Sequence, residues 1–238
     1  MSNNLRLFFF SILVFIIVSV SVSFAEVVLY DNIGLTREEI TITVETKGRY
    51  FSKGGEVVRF VAEGKSIGNA LSGGDGFAYR LFTPKKTGIT QISVIYGKNR
   101  DTGIILSLRK GSSIVFVDVE GSLLSDSFSR KPIEKGREAI QNIIKKYPVV
   151  YLHSGTLGTK SIKQWLKKNS FPESAVMSWD NGSLFRDLKE KGFRLKAIIG
   201  SQAVIESAAE YKPLALSFDE FEGATHVKDW KEIEKRLK

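Results

Sequence analysis

The chain has 238 residues, a formal charge of +9, 42% hydrophobic and 26% charged residues, room for one medium domain or two small ones. This balance excludes a disordered, collagen-like or multi-span membrane chain. With no cysteine and only two histidines, His153 and His226, it excludes a disulfide scaffold, a cysteine nucleophile and thiolate metal sites, and argues against a histidine-rich zinc centre.

Residues 1–25 read as an export signal. Arg6 supplies the positive start, residues 7–24 are apolar apart from small serines, and Ser23-Phe24-Ala25 fits a small-x-small cleavage site. The apolar run is also nearly long enough to span a bilayer, so an uncleaved N-terminal anchor is the rival reading. Either way the remainder is expected outside the cytoplasm, periplasmic or extracellular. The basic excess lies mainly in the C-terminal half, dispersed over lysines such as Lys163, Lys167, Lys168, Lys189 and Lys191. Such a coat is a solvated face that favours anionic substrates or an acidic membrane surface. Nucleic acid is not an expected partner, because no aromatic-basic stacking pattern accompanies the charge.

Residues 26–110 alternate at period two. Ile40, Ile42 and Val44 mark one strand; Val57, Phe60 and Val61 a second; Phe77, Tyr79 and Leu81 a third; Ile89, Ile92, Val94 and Tyr96 a fourth. Glycine-rich turns such as 73–76 separate them, which predicts antiparallel β structure. Residues 76–88 resemble the late hairpin of bacterial immunoglobulin-like sandwiches, and a small β-sandwich is expected. No cluster of acids, histidines or hydroxyls capable of chemistry appears here, so this half reads as a binding or spacer module. Arg109-Lys110-Gly111-Ser112 is a very short join to the second half.

Residues 112–238 follow a different rhythm. Ile114-Val115-Phe116-Val117 is a continuous apolar run ending at Asp118, as expected of a strand buried on both faces. A helical face follows in Ile133, Ile140, Ile143, Ile144 and Tyr147, then the strand 149–152 and a helix with Ile162, Trp165 and Leu166. Next come 175–177, a helix with Leu184, Phe185 and Leu188, the strand 195–199, a helix over 204–211, the strand 214–217 and a last helix near Trp230 and Ile233. Strand–helix alternation of this kind predicts an α/β domain with a parallel sheet, whose site lies at the carboxyl ends of the strands.

At those ends stand Asp118-Val119-Glu120-Gly121-Ser122, His153-Ser154-Gly155-Thr156, and Gly200-Ser201 with Glu206 beyond. Carboxylates facing hydroxyls and helix N-termini suit a divalent cation plus phosphate. The arrangement resembles the haloacid dehalogenase superfamily of phosphotransferases, whose sheet is Rossmann-like. Asp118-Val119-Glu120-Gly121-Ser122 stands where that family has Asp-x-Asp-Gly-Thr, Ser154 matches the hydroxyl ending the next strand, and Gly200-Ser201 with Glu206 matches a weaker form of the acidic metal motif. The short link from Asp118 to the Ile133 helix leaves no room for a cap domain, and the segment 152–200 looks most like the lipin-type branch.

The resemblance implies an Mg²⁺-dependent phosphomonoester hydrolase. Asp118 would attack phosphorus, forming an aspartyl-phosphate, and Glu120 would act as acid and base. Ser122, Ser154 and Gly155 would serve the substrate. Asp118, Glu120, Ser201 and Glu206 would hold Mg²⁺. An open site would suit a lipid head group or another large phosphorylated substrate. Glu120 and Ser201 each replace an aspartate of the family pattern, and the motif lysine has no clear counterpart, since Lys189 and Lys191 also read as a solvated helix face. The alternative is therefore a catalytically degenerate binding protein of the envelope. Bland roles stand beside the sharp ones: Ser154 as a helix cap, Glu206 as a carboxylate on its helix dipole, and His153 as strand-end packing. The P-loop-like stretch 154–161 lacks both required glycines, and no Gly-x-Ser-x-Gly elbow exists.

Overall fold

Period-two alternation builds two sheets facing each other. The computed structural model describes residues 26–48, 51–125, 130–155 and 157–238; the export segment expected over residues 1–25 lies outside them. Strand β1 (Glu26–Tyr30) and strand β2 (Asn32–Leu35) are one extended stretch that changes sheets at Asp31. With β3 (Ile40–Lys47) and β6 (Phe77–Phe82), β1 forms an antiparallel sheet in the order β1-β3-β6. The second sheet has the order β2-β8-β7-β4-β5, from β4 (Val57–Ala62), β5 (Lys65–Leu71), β7 (Gly88–Tyr96) and β8 (Asn99–Leu108); its β2–β8 pair is parallel. Val27, Leu29, Ile42 and Val44 from one sheet meet Phe60, Ile92, Val94 and Tyr96 from the other, the expected immunoglobulin-like sandwich core. Burying such side chains contributes roughly 1.5–3 kcal/mol each.

Two expected faces are corrected. In β4 the inward residues are Val58, Phe60 and Ala62, while Val57 is exposed and Val61 only partly covered. In β6 the pairing with β3 sets Ala78 opposite Val44 and Arg80 opposite Ile42 on the inner side. Phe77, Tyr79 and Leu81 therefore face outward, because a period-two pattern reads the same from either face and the partner strand decides. Gly68 leaves the space that the Arg80 guanidinium fills at the sheet edge; a Cβ there would lie 2.8 Å from Nη2.

The second half alternates strand and helix: β9 (Ser113–Asp118), a single turn α1 (Val119–Ser122), α2 (Gly136–Ile143), β10 (Val149–His153), α3 (Thr159–Lys168), β11 (Val176–Ser178), α4 (Ser183–Glu190), β12 (Arg194–Ile199), α5 (Gln202–Glu206), β13 (Leu214–Ser217), β14 (Thr225–His226) and α6 (Trp230–Arg236). All six strands run parallel in the order β11-β10-β9-β12-β13-β14. That order is doubly wound, and it reverses between β9 and β12, where such sheets open a crevice. Ile114, Val115, Phe116 and Val117 are all fully buried, with Val115 and Val117 facing Ile140 and Trp230 and the other two facing Phe185 and Leu188. The expected helix over 204–211 is split into α5 and a 3₁₀ turn, Ala209–Tyr211.

The two halves share one core. Ile33, Ile104, Leu106 and Leu108 of the sandwich pack with Phe116, Leu152 and Phe193 of the parallel-sheet half. Asp31, at the sheet change, is buried between them: it accepts hydrogen bonds from the backbone of Ile104 and Val176, both at 2.9 Å, and pairs with Lys163 at 2.6 Å. Helix α3 runs beside β1, with Lys160 on Glu26 at 2.5 Å and Lys163 donating to the Leu29 carbonyl at 3.0 Å. The Glu26 end of the sandwich is thus level with the start of α3, which is the carboxyl edge of the parallel sheet.

Candidate functional site

Asp118 ends β9 in extended conformation (φ −70°, ψ 107°) and the chain turns at once into α1. The turn is tied by Ser122, whose hydroxyl donates to the Asp118 carbonyl at 2.6 Å, and by the Trp230 indole, which donates to the Ser122 carbonyl at 3.1 Å. The Asp118 side chain is fully buried at the switch point between β9 and β12. Its Oδ1 accepts from the Ser154 hydroxyl at 2.6 Å; its Oδ2 accepts from the Ser201 hydroxyl at 2.7 Å and the Ser201 N–H at 3.1 Å. Both carboxylate oxygens are therefore engaged by the ends of the two flanking strands.

Glu120 points into the loop after β10. Its Oε2 accepts from the backbone N–H of Ser154 at 2.9 Å and of Gly155 at 2.6 Å, and its Oε1 from the N–H of Leu157 at 3.0 Å. Successive N–H groups converging on one anion form a nest of the kind that binds phosphate. Here the chain's own carboxylate fills it.

Three glycines allow the carboxylates this close. A Cβ on Gly155 would lie 2.4 Å from Glu120 Oε1, one on Gly121 2.4 Å from Asp118 Oδ2, and one on Gly200 2.4 Å from the Asp118 Cβ. Gly121 and Gly200 stand in the expected strand-end motifs, where no role is assigned to them. Their signal was a glycine placed just beyond an apolar strand, where backbone must pass a side chain closely.

The structure brings Asp118, Glu120, Ser154, Gly155 and Ser201 together. It does not bring Glu206, which stands exposed at the end of α5 and accepts from the Gln202 amide at 2.6 Å. Ser122, expected at the substrate, is fully buried and spends its hydroxyl on the turn. His153 keeps Nδ1 buried without a hydrogen-bond partner among the described residues, and its carbonyl accepts from the Trp179 N–H. Lys191 donates to the Ile33 carbonyl at 3.4 Å, toward the sandwich and away from Asp118.

These donors do not fit a magnesium site. Mg²⁺ requires several oxygens with free lone pairs in near-octahedral geometry. Asp118 already accepts three hydrogen bonds, Glu120 is turned into the loop nest, and Glu206 is elsewhere. Among the described residues no group of three or more acidic or histidine side chains converges.

No protein-family model matches the chain, and no curated protein does. Solved structures match part of it. Fibronectin(III)-like modules of Clostridium thermocellum CbhA share 20% identity, with 35% of this chain and 97% of theirs covered and a TM-score of 0.26. Invasin, a bacterial integrin-binding protein, shares 16% over 37% of this chain and 19% of its own, TM-score 0.30. The D00-D0 domain of intimin shares 16% over 35% and 46%, TM-score 0.28.

Proposed function

We propose that the chain is an exported, catalytically silent relative of the haloacid dehalogenase-like phosphatases and serves as a binding module at the cell envelope. One observation carries this reading: the three loop N–H groups that a phosphoryl group would need are held by the Glu120 carboxylate. An intramolecular acceptor competes at high effective concentration with any free phosphate ester. The outward position of Glu206 supports the same reading, because it leaves Asp118 without a second acid to share a cation. Export rests on the sequence of residues 1–25, and the sandwich supplies the surface for attachment.

The hydrolase is the competing reading, favoured by the approach of Ser154 and Ser201 to Asp118. A chromogenic phosphomonoester offered to the full chain with and without Mg²⁺, beside Asp118→Asn, decides between them. The expected result is no Mg²⁺-dependent turnover above that of the variant. Turnover that requires Mg²⁺ and vanishes in Asp118→Asn overturns the proposal.

A further inference from the structure

Several observations meet at one end of the sandwich. Strand β1 begins there with Glu26, paired in register with Lys47 at the end of β3. The segment after Lys47 folds back, with Ser52 bridged to Lys47, Lys53 N–H on the Thr46 carbonyl and Gly55 N–H on the Ser72 carbonyl. Val57 at the start of β4 lies directly across from Leu71 at the end of β5. Phe51, Leu71 and Val57 are 84%, 65% and 59% exposed. A Phe or Leu this open is unremarkable alone, but three at one end form an apolar tip.

Read as a retained anchor, the N-terminal segment says what lies against that tip. Residues 7–24 form an apolar run able to enter a bilayer, and Phe24 is two residues from Glu26. Two extended residues reach only about 7 Å. The tip is thus held near whatever receives the run. Most charges at this end are paired, Glu26 with Lys160, Glu45 with Lys47 and Glu56 with Lys53, while Asp75 in the turn after Leu71 accepts from the Phe77 N–H.

We propose that the end of the sandwich carrying Phe51, Val57 and Leu71 is a bilayer-contacting face, seated there by the apolar run of residues 7–24. Because Lys160 at the start of α3 reaches Glu26, the same arrangement turns the open edge with Ser154 and Gly155 toward the membrane side. The contact is apolar, so it depends neither on anionic lipid nor on ionic strength. It rests on reading residues 7–24 as a retained N-terminal anchor, not a cleaved signal, and is independent of whether Asp118 has chemistry.

The absence of native cysteine makes the test direct. Phe51→Cys, Leu71→Cys and, as control at the opposite end, Lys85→Cys each receive an environment-sensitive fluorophore in the full chain, reconstituted into phosphatidylcholine vesicles carrying nitroxide lipids. All three positions are exposed, so the fold tolerates the label. Labels at 51 and 71 are expected to shift to the blue and be quenched several-fold more than the label at 85, equally at low and high salt. Equal quenching at all three positions overturns the proposal. So does contact that requires phosphatidylglycerol and disappears in salt. A blue shift without vesicles that grows with protein concentration also overturns it, by assigning the face to a second copy. Failure here leaves the phosphatase assay untouched, and the reverse also holds.

Discussion

Glu120 and Asp118 are two residues apart and have opposite surroundings. Asp118 is enclosed by hydroxyls from both neighbouring strands, whereas Glu120 is the anion of a backbone nest at the molecular surface. In Glu120→Gln the amide keeps one oxygen for the Ser154 and Gly155 N–H groups but sets an NH₂ against the Leu157 N–H. Glu120→Ala removes every acceptor. Urea unfolding is expected to rank wild type above Gln and Gln above Ala, with a total loss of about 1–3 kcal/mol because water reaches part of this loop. Amide exchange at Ser154, Gly155 and Leu157 should accelerate in the same order. An unchanged exchange rate would show that the nest is not held by Glu120. Asp118's place at the end of a buried strand was legible in the sequence, because a fully apolar run stops there. Glu206 was not legible. Counting spacers places it in a motif, but α5 buries Val204 and Ile205, and the next residue then turns to solvent beside Gln202.

The elements that carry the site are short turns pressed against side chains, and glycine is their requirement. Gly121→Ala would put a methyl 2.6 Å from the Ser201 backbone nitrogen, and Gly200→Ala would put one 2.4 Å from the Asp118 Cβ. Neither neighbour is the free end of a flexible chain. Each substitution is expected to cost roughly 1–3 kcal/mol. Gly158→Ala, at the start of α3 with φ −60° and nothing within 4 Å, is the control and should cost less than about 1 kcal/mol. Thermal melts of the three variants check the contrast; equal losses would refute it. At this scale the parallel strands were legible as apolar runs, since burial on both faces leaves no room for polar residues. The sandwich was legible only in part. β8 opens with Asn99-Arg100-Asp101-Thr102 before its buried run 104–108, and β5 reads Lys65-Ser66-Ile67-Gly68-Asn69, so the first half of β8 and most of β5 show no apolar face. Backbone pairing to β7 and β4 makes them strands, and that pairing is not written in their side chains.

For the whole molecule, the decisive joint is Asp31, which the sequence presents as one more polar residue between Tyr30 and Asn32. Burial pushes its carboxyl above the ordinary carboxylate range, and the Lys163 ammonium with the Val176 and Ile104 N–H groups pulls it only part of the way back. Lys163→Met removes the charge partner and leaves the acid enclosed between the halves. Breaking a buried pair from one side costs about 3–5 kcal/mol, and the lower end applies here because Lys163 is 20% exposed. Asp31→Ala should cost at least as much, since it orphans two backbone donors as well, and Asp31→Ala/Lys163→Met should not recover the loss. The pH dependence separates these cases. A carboxyl whose folded value is raised binds more protons in the folded state than in the unfolded state, so its contribution to stability falls as pH rises through that window and returns on acidification. In Lys163→Met the folded value rises further. Its deficit against wild type should therefore narrow as pH is lowered toward the unfolded carboxylate value, while the deficit of Asp31→Ala, which has no proton to gain, follows no such course. Denaturant unfolding of both variants across the acid range reads the difference directly, and parallel profiles would mean that Lys163 holds the halves together by packing alone.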